Sequence, residues 1–257
     1  MNTRRLCSQV LPVREIDAEF TSQLYRLFAA NYDHVTLDRF EKDLAEKDFV
    51  VVLRDAESGA PCGFSTEQIL RTVVDGQPIR ALFSGDTIID PDYWGEQELV
   101  RGWCRIAGQL LAEDSETPLY WLLISKGFRT YLYLPVFYHE YWPRHDQATP
   151  ESAQRILNAL AKKKWPDAYD PSSGLLRFPL SLGQLKTSIA DVPTARQEDL
   201  DVKFFLERNP THLQGTELVC LAPISLANTK SIGRRLIQQA IAECRRQRVH
   251  QMEATCA

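Results

Sequence analysis

Apolar positions along this chain alternate between two periods. Phe20, Leu24, Leu27 and Phe28 recur at helical spacing behind Asp17, a residue type that accepts hydrogen bonds from the free N–H groups at a helix start. Thr36 stands in the same relation to a short helix predicted from Leu37 to Glu46. Elsewhere the period is that of strands. Residues 9–16 read as a first strand, and Phe49–Arg54 as a strongly apolar one rich in valine. The turn signal at Glu57–Ala60 sends the chain back through Cys62–Val74. Asp75-Gly76 turns it again, out through Pro78–Asp90, so the pattern predicts a three-stranded antiparallel meander. Leu99, Trp103, Ile106, Ala107, Leu110 and Leu111 then mark one face of an amphipathic helix. Pro118–Ser125 is apolar throughout, the pattern of a central strand covered on both faces.

The second half is less regular. Lys126–Trp142 is dense in aromatics and reads as a short helix, a break at Pro135 and a further helical turn. Polar residues from Arg144 to Pro150 mark a boundary or a long loop, and a helix follows to about Lys164. Residues 165–192, rich in Pro, Ser, Gly and Asp, read as a lid or insertion with one short strand at Leu175–Phe178. A helix over Pro193–Asn209, a strand over Gly215–Ile224 and a final helix over Ser231–Arg248 complete the pattern. The expected organisation is an α/β core over 1–143 with a C-terminal extension over 144–257. Its strand at about 216–224 is placed to complete a mixed, mostly antiparallel sheet flanked by helices.

Composition narrows the function. The chain has 257 residues, 44% hydrophobic and 25% charged, with a net charge of −4, so no global field draws in nucleic acid or an anionic membrane. No run approaches the roughly 18 apolar residues of a membrane span. The two N-terminal arginines have no apolar segment behind them, so no secretory signal is expected and the location reads as cytoplasmic. The six cysteines form no Cys-x-x-Cys pair, and His139, Glu140, His145 and Asp146 match no ligand spacing, so no metal is expected. Hydrolase, nucleotide-hydrolase and dehydrogenase motifs do not occur.

The order strand, two helices, three antiparallel strands, helix, strand, helix over 9–143 resembles the core of the GCN5-related N-acyltransferase (GNAT) superfamily. That resemblance implies a donor thioester in the gap between a fourth strand, Ser84–Asp90, and a fifth, Leu119–Ser125. A backbone N–H near Asp86–Ile88 would hold the thioester oxygen. The family cradles the donor pyrophosphate on Arg/Gln-x-x-Gly-x-Gly/Ala. Here the corresponding positions read Trp94-Gly95-Glu96-Gln97-Glu98-Leu99, with bulk at Gln97 and Leu99 and two acids that suit a helix start with no ligand at all. By the resemblance, Thr87, Ile88, Trp94, Gly95, Gln97, Ser125 and Arg129 are the donor-binding positions. The donor is either acyl-CoA or an acyl-phosphopantetheine on an acyl-carrier protein, and the acceptor a small-molecule amine. The alternative is a non-catalytic GNAT-like module that binds a small molecule or a protein partner.

Acyl transfer to an amine needs a group to take the ammonium proton and an acid for the leaving thiolate. Asp86 sits mid-strand in an apolar run, where a carboxylate needs a partner or a raised pKa, and is the first candidate for the base or for binding the amine. Glu67, in the polar stretch Ser65–Gln68, is the second. Tyr131 and Tyr133 follow the fifth strand, where the resemblance places a tyrosine acid. The aromatics of 128–142 suggest a deep apolar pocket and hence an acyl chain longer than acetyl.

Overall fold

The computed structural model describes residues 5–93, 96–178, 184–185, 192–193, 196 and 198–255. The chain runs β1 (Leu6–Pro12), α1 (Ala18–Asn31), β2 (Tyr32–Asp33), α2 (Leu37–Ala45), β3 (Phe49–Asp55), β4 (Pro61–Val74), β5 (Gln77–Ile89), α3 (Glu98–Glu113) and β6 (Leu119–Ser125). The short helices α4 (Phe128–Tyr131) and α5 (Tyr133–Phe137) follow, then α6 (Glu151–Lys164), β7 (Tyr169–Asp170), β8 (Leu175–Leu176) and β9 (Gln184–Leu185). The chain ends with α7 (Leu200–Arg208), β10 (Glu217–Pro223) and α8 (Ser231–Thr255). Eight strands form one sheet in the order β1-β3-β4-β5-β6-β10-β8-β7, and β2 pairs separately with β9. Every neighbouring pair in the large sheet is antiparallel except β5 with β6. The fold is therefore mixed α/β, with one mostly antiparallel sheet between helices.

Alternating side chains sort the helices onto two faces. Leu82, Trp121, Leu123 and Cys220 face α3 and α8 with Trp103, Ile106 and Ile237. On the other face, Val50, Val52, Phe64 and Ile88 pack under α1 and α2 with Leu24, Phe28, Phe40 and Leu44. Phe83, Leu122 and Val219 on that same face pack under α6 with Leu157 and Leu160. Burial of these leucines and aromatics is what holds the helices in place, at roughly 1.5–3 kcal/mol for each large apolar side chain.

The parallel pair matters most. β5 and β6 are in register from Arg80↔Leu119 to Ser84↔Leu123 and then part. β5 stays on β4 as far as Ile89, whereas β6 stays on β10, with Ser125 opposite Leu218. A β-bulge lies at the point of divergence: Ser65 pairs with Thr87 and Glu67 with Ser84, so Gly85 and Asp86 share the space opposite Thr66. A Cβ on Gly85 would lie 2.6 Å from Thr66 Oγ1, so any larger residue would force Thr66 or the bulge to shift. The buried Arg80 guanidinium ties the crossover down by donating to the carbonyls of Leu110 (2.9 Å) and Thr117 (2.9 Å) at and beyond the end of α3.

Several boundaries differ from the sequence pattern. The first strand is Leu6–Pro12 because a 3-10 turn begins at Val13. The helical break falls at Leu132, with Pro135 in the opening turn of α5, where its missing N–H costs nothing. α7 starts at Leu200, capped by the Asp199 carboxylate on the N–H groups of Asp201 and Val202. Tyr169–Asp170 and Leu175–Leu176, read as part of a lid, are edge strands of the large sheet. β10 joins that sheet beside β6.

Candidate functional site

A cavity of about 620 Å³ opens on the α1/α2/α6 face where β5 and β6 separate. Its walls come from Tyr32, from Arg39, Asp43 and Lys47 of α2 and its end, from Phe83 and Gly85–Ile89 of β5, and from Gln97 and Val100 at the start of α3. Lys126–Thr130, Tyr133, Lys164, Trp165 and Glu217 close it. A second, almost wholly apolar pocket of about 50 Å³ lies on the α3 side, between Leu99, Trp103, Trp121, Leu123 and Tyr138. Thr87, Val100, Thr130, Tyr133 and Phe137 line both. The gap between the two strands is thus bordered by a roomy chamber with charged walls and by a small apolar one.

The polar chamber centres on Asp86. Burial pushes its carboxyl up to about 7; Asp43 adds to the rise, and Lys126 and Lys47 oppose it. Lys126 pairs with Glu217 (Nζ–Oε1 3.4 Å) and lies 5.1 Å from the centre of the Tyr32 ring. Burial pulls the Lys126 ammonium down, but Glu217, Tyr32 and Asp86 together hold it above its ordinary value. The Glu217 carboxyl is raised by burial against the pull of Lys126. The Tyr32 phenol is pushed up to about 12 by burial. Asp86 is therefore poised near neutrality, where a proton acceptor works best.

Glu67 occupies the opposite side of the bulge and is fully buried. Burial raises its carboxyl to about 8, against the hydrogen bonds of Ser84 and Ser65 and the charge of Lys47. Counting donors orients the network. Ser84 Oγ accepts from both Trp103 Nε1 (3.1 Å) and Trp121 Nε1 (2.9 Å), which uses its two lone pairs. Its single proton must go to Glu67 Oε2, 2.7 Å away. Oε2 is then the acceptor, and in the neutral acid the proton sits on Oε1, facing Ser65 Oγ at 2.8 Å. Ser65 Oγ is 2.9 Å from Thr87 Oγ1, which borders both cavities. A continuous chain of hydroxyls thus links a protonatable carboxyl to the gap.

Among the residues singled out from sequence, Asp86, Thr87, Ile88, Gln97, Arg129 and Tyr133 line the large cavity. Tyr133 stacks on Phe137 (6.0 Å between rings), and burial raises its phenol. Gln97 caps α3 without a side-chain bond to the helix. Arg129 lies over the Phe128 ring at 4.9 Å. Tyr131 does not reach the gap: its phenol donates to the Pro143 carbonyl (2.9 Å) and its ring packs on Phe205 and Tyr141 in the core. Tyr141 and Trp142 are likewise core residues that line neither cavity, whereas Phe128, Tyr133 and Phe137 line the large cavity and Tyr133, Phe137 and Tyr138 the small one. Ser125 is fully buried at the β6–β10 pairing and lines neither cavity. Trp94 and Gly95 lie outside the described residues. Of the two acids at the start of α3, Glu98 is engaged by Ser8 Oγ (3.0 Å) and Arg101 Nε (2.9 Å), while Glu96 lines the cavity.

Sequence reasoning passed over Lys47, Lys164, Glu217 and Ser84. Two of these carried a signal: Glu217 is a charge opening an apolar strand, and Ser84 a hydroxyl inside an apolar run. Among the described residues no group of three or more His, Cys, Asp or Glu side chains is arranged to hold a metal. No described helix is long and apolar enough to cross a membrane.

No family model matches the sequence, and no curated protein matches it. Among solved structures, the fold resembles a conserved protein of unknown function from Enterococcus faecalis V583, named "Probable N-Acyltransferase". The match has 14% identity and a TM-score of 0.39, over 55% of this chain and 37% of that one. It also resembles a GCN5-related N-acetyltransferase from Kribbella flavida, at 12% identity and a TM-score of 0.37, over 51% and 32% of the two chains. A GNAT-family N-acetyltransferase from Escherichia coli in complex with CoA matches at 15% identity and a TM-score of 0.32, over 48% and 64%. The chain matches about a third of the length of the first two. These are partial likenesses of fold.

Proposed function

We propose that this protein transfers an acyl group from a phosphopantetheine thioester, carried by CoA or by an acyl-carrier protein, to a small primary amine. The observation that carries the reading is the gap at the β5–β6 divergence, with its bulge at Gly85–Asp86 and the half-buried Asp86 facing a chamber of about 620 Å³. The bulge frees backbone N–H groups from the ladder, and such groups can stabilise the oxyanion of a thioester under attack. Asp86, with its carboxyl near 7, takes a proton from the incoming ammonium. The freed amine attacks the thioester carbonyl, the C–N bond forms, and the C–S bond breaks with its electron pair on sulfur. Tyr133, at the junction of the two cavities, donates the proton that turns the thiolate into a thiol, and recovers one from the second proton that the nitrogen sheds as the amide forms. The Glu67–Ser65–Thr87 chain supplies a second route for protons to the gap.

The apolar pocket of about 50 Å³ bounds the acyl group. A single water-sized probe needs about 10–15 Å³ on this measure, so the space fits a few heavy atoms and favours a short acyl chain. Release of free thiol from acetyl-, butyryl- and long-chain acyl-CoA, and from acyl-carrier protein, in the presence of an amine panel tests the reading. Amine-dependent thiol release that Asp86→Asn abolishes is the expected result. A rise in melting temperature with a thioester, but no transfer to any amine, would favour the non-catalytic binding module instead.

A further inference from the structure

Transfer to a plain amine leaves one feature of the large cavity unused, a row of lysines that tracks β5. The Lys164 ammonium lies 4.8 Å from the centre of the Phe83 ring. Lys47 packs on the bulge, its Cε 3.1 Å from where a Cβ on Gly85 would stand. Lys126 is among the charges around Asp86. The three lysines thus flank β5 from Phe83 through the bulge to Asp86.

These lysines are not equally neutralised. Lys126 is paired with Glu217, a carboxylate as buried as itself. Lys47 and Lys164 have side chains only 1% and 9% exposed, whereas their carboxylate partners Asp43 and Glu46 are 48% and 63% exposed. Glu46 stands outside the cavity, and Asp43, which lines it beside Lys47, is half-exposed, so solvent screening weakens both counter-charges. The Lys164 ammonium is pulled below its ordinary value, by burial first and by the charge of Lys47 second, while Glu46 and Asp43 pull the other way. The Gln68 side-chain carbonyl fixes Lys164 from beneath at 2.6 Å. Lys47 donates to the Asp43 carbonyl (2.9 Å) and carboxylate, which leaves one of its three hydrogens for another acceptor. An anion entering between Lys47 and Lys164 would relieve their repulsion and meet two desolvated donors.

We infer that the acceptor carries its own carboxylate, and is an amino acid whose amine lies at Asp86 and whose carboxylate lies between Lys47 and Lys164. The inference rests on the acyl-transfer reading of this cavity. Lys47 sits over Gly85, next to Asp86 along the strand, and its charge acts on the Asp86 carboxyl, so the amine and carboxylate positions adjoin one another. Phe83, Trp165 and Phe178 offer apolar surface to the amino-acid side chain. The reaction is that described above, with the nitrogen bonding to the acyl carbon and the ammonium proton passing to Asp86. The carboxylate is unchanged, and Lys47 and Lys164 act as specificity residues that do not react.

Calorimetric titration of the twenty proteinogenic amino acids and their carboxamides, with and without CoA, tests this independently of turnover. At least one amino acid should bind tenfold or more tightly than its carboxamide. Lys164→Gln should erase that preference and Lys164→Arg should restore it. Equal binding of acid and carboxamide, or no binding of any amino acid, would overturn the inference. Thiol-release assays on the same panel separate it from the reading it rests on. Amino-acid binding without transfer sinks the transferase and leaves the carboxylate site standing. Transfer to carboxamides and alkylamines as efficient as to amino acids leaves the transferase standing and sinks the amino-acid acceptor.

Discussion

Replacing Glu67 with glutamine tests the buried network through stability alone, with no substrate needed. Burial raises the Glu67 carboxyl from 4.5 to about 8, so the folded chain keeps a proton that the unfolded chain releases above pH 4.5. A raised folded pKa gives stability that is fully present below about 4.5 and is lost as pH rises toward 8. The interval corresponds to ~5 kcal/mol between the two ends, at 1.36 kcal/mol per pKa unit. The amide introduced by Glu67→Gln should satisfy the same partners at every pH. Its carbonyl accepts from Ser84, whose lone pairs are taken by two indoles, and its N–H donates to Ser65, as the neutral acid does. Urea denaturation at pH 5 and pH 9 should therefore find Glu67→Gln within about 1 kcal/mol of wild type at the lower pH and several kcal/mol more stable at the higher. Asp86, also raised, titrates in both proteins and drops out of the difference if the two sites are additive. A stability difference that does not change with pH would refute the assignment of a proton to Glu67.

Four further outcomes follow from the geometry. Asp86→Asn should lower kcat/KM by roughly 10²–10⁴, the usual contribution of a general base, and thermal melts should confirm folding. In the wild type, kcat/KM should fall as pH drops through about 7, because the base must be ionised, and that limb should vanish in Asp86→Asn. Tyr133→Phe should lower kcat for donors with a basic leaving thiol while leaving KM for the amine near its wild-type value, read in steady-state assays. Ser84→Ala leaves two buried indole N–H groups and one carboxyl oxygen without a partner, and should destabilise by at least ~2 kcal/mol in urea melts, at 1–3 kcal/mol per orphaned group.

What could be read from the sequence was whatever repeats along the chain. The meander over β3–β5 shows in alternation and in the turn at Asp75-Gly76, where both residues have positive φ. α3 shows in the spacing of Leu99, Trp103, Ile106 and Leu110, all buried as the pattern requires. Asp86 could be picked out because a carboxylate inside an apolar run must answer for its burial, whereas Glu67 stood out only through the polar stretch Ser65–Gln68; both have raised carboxyls. What could not be read depends on residues brought together from afar. Tyr131 and Tyr133 are two positions apart in one aromatic run, and only packing against Phe205 and Tyr141 decides that Tyr131 belongs to the core. Lys164 looks like part of a solvated triplet, Lys162-Lys163-Lys164, yet it alone is turned onto the Phe83 ring while Lys162 and Lys163 are exposed.

The bulge explains why two raised carboxyls on neighbouring strands can serve different ends. In a regular strand, Phe83 and Thr87 would share a face. The extra residue at Gly85–Asp86 shifts the alternation, so Phe83 and Ile88 lie on the α1/α2/α6 face while Ser84 and Thr87 lie on the α3 face with Glu67 and the two tryptophans. Asp86 is the residue that the shift leaves at the opening, facing Lys47, Lys126 and Glu217 rather than the core. One inserted residue therefore shifts the alternation where the strands part, and sets the Asp86 carboxyl on the chamber side with the raised Glu67 carboxyl behind it. Gly85→Ala tests that chain of reasoning at its root. A Cβ 2.6 Å from Thr66 Oγ1 and 3.1 Å from Lys47 Cε must displace those side chains or the bulge itself. The variant should lose amine-dependent thiol release out of proportion to its loss of stability. If it keeps wild-type kcat/KM, the bulge is not what positions Asp86.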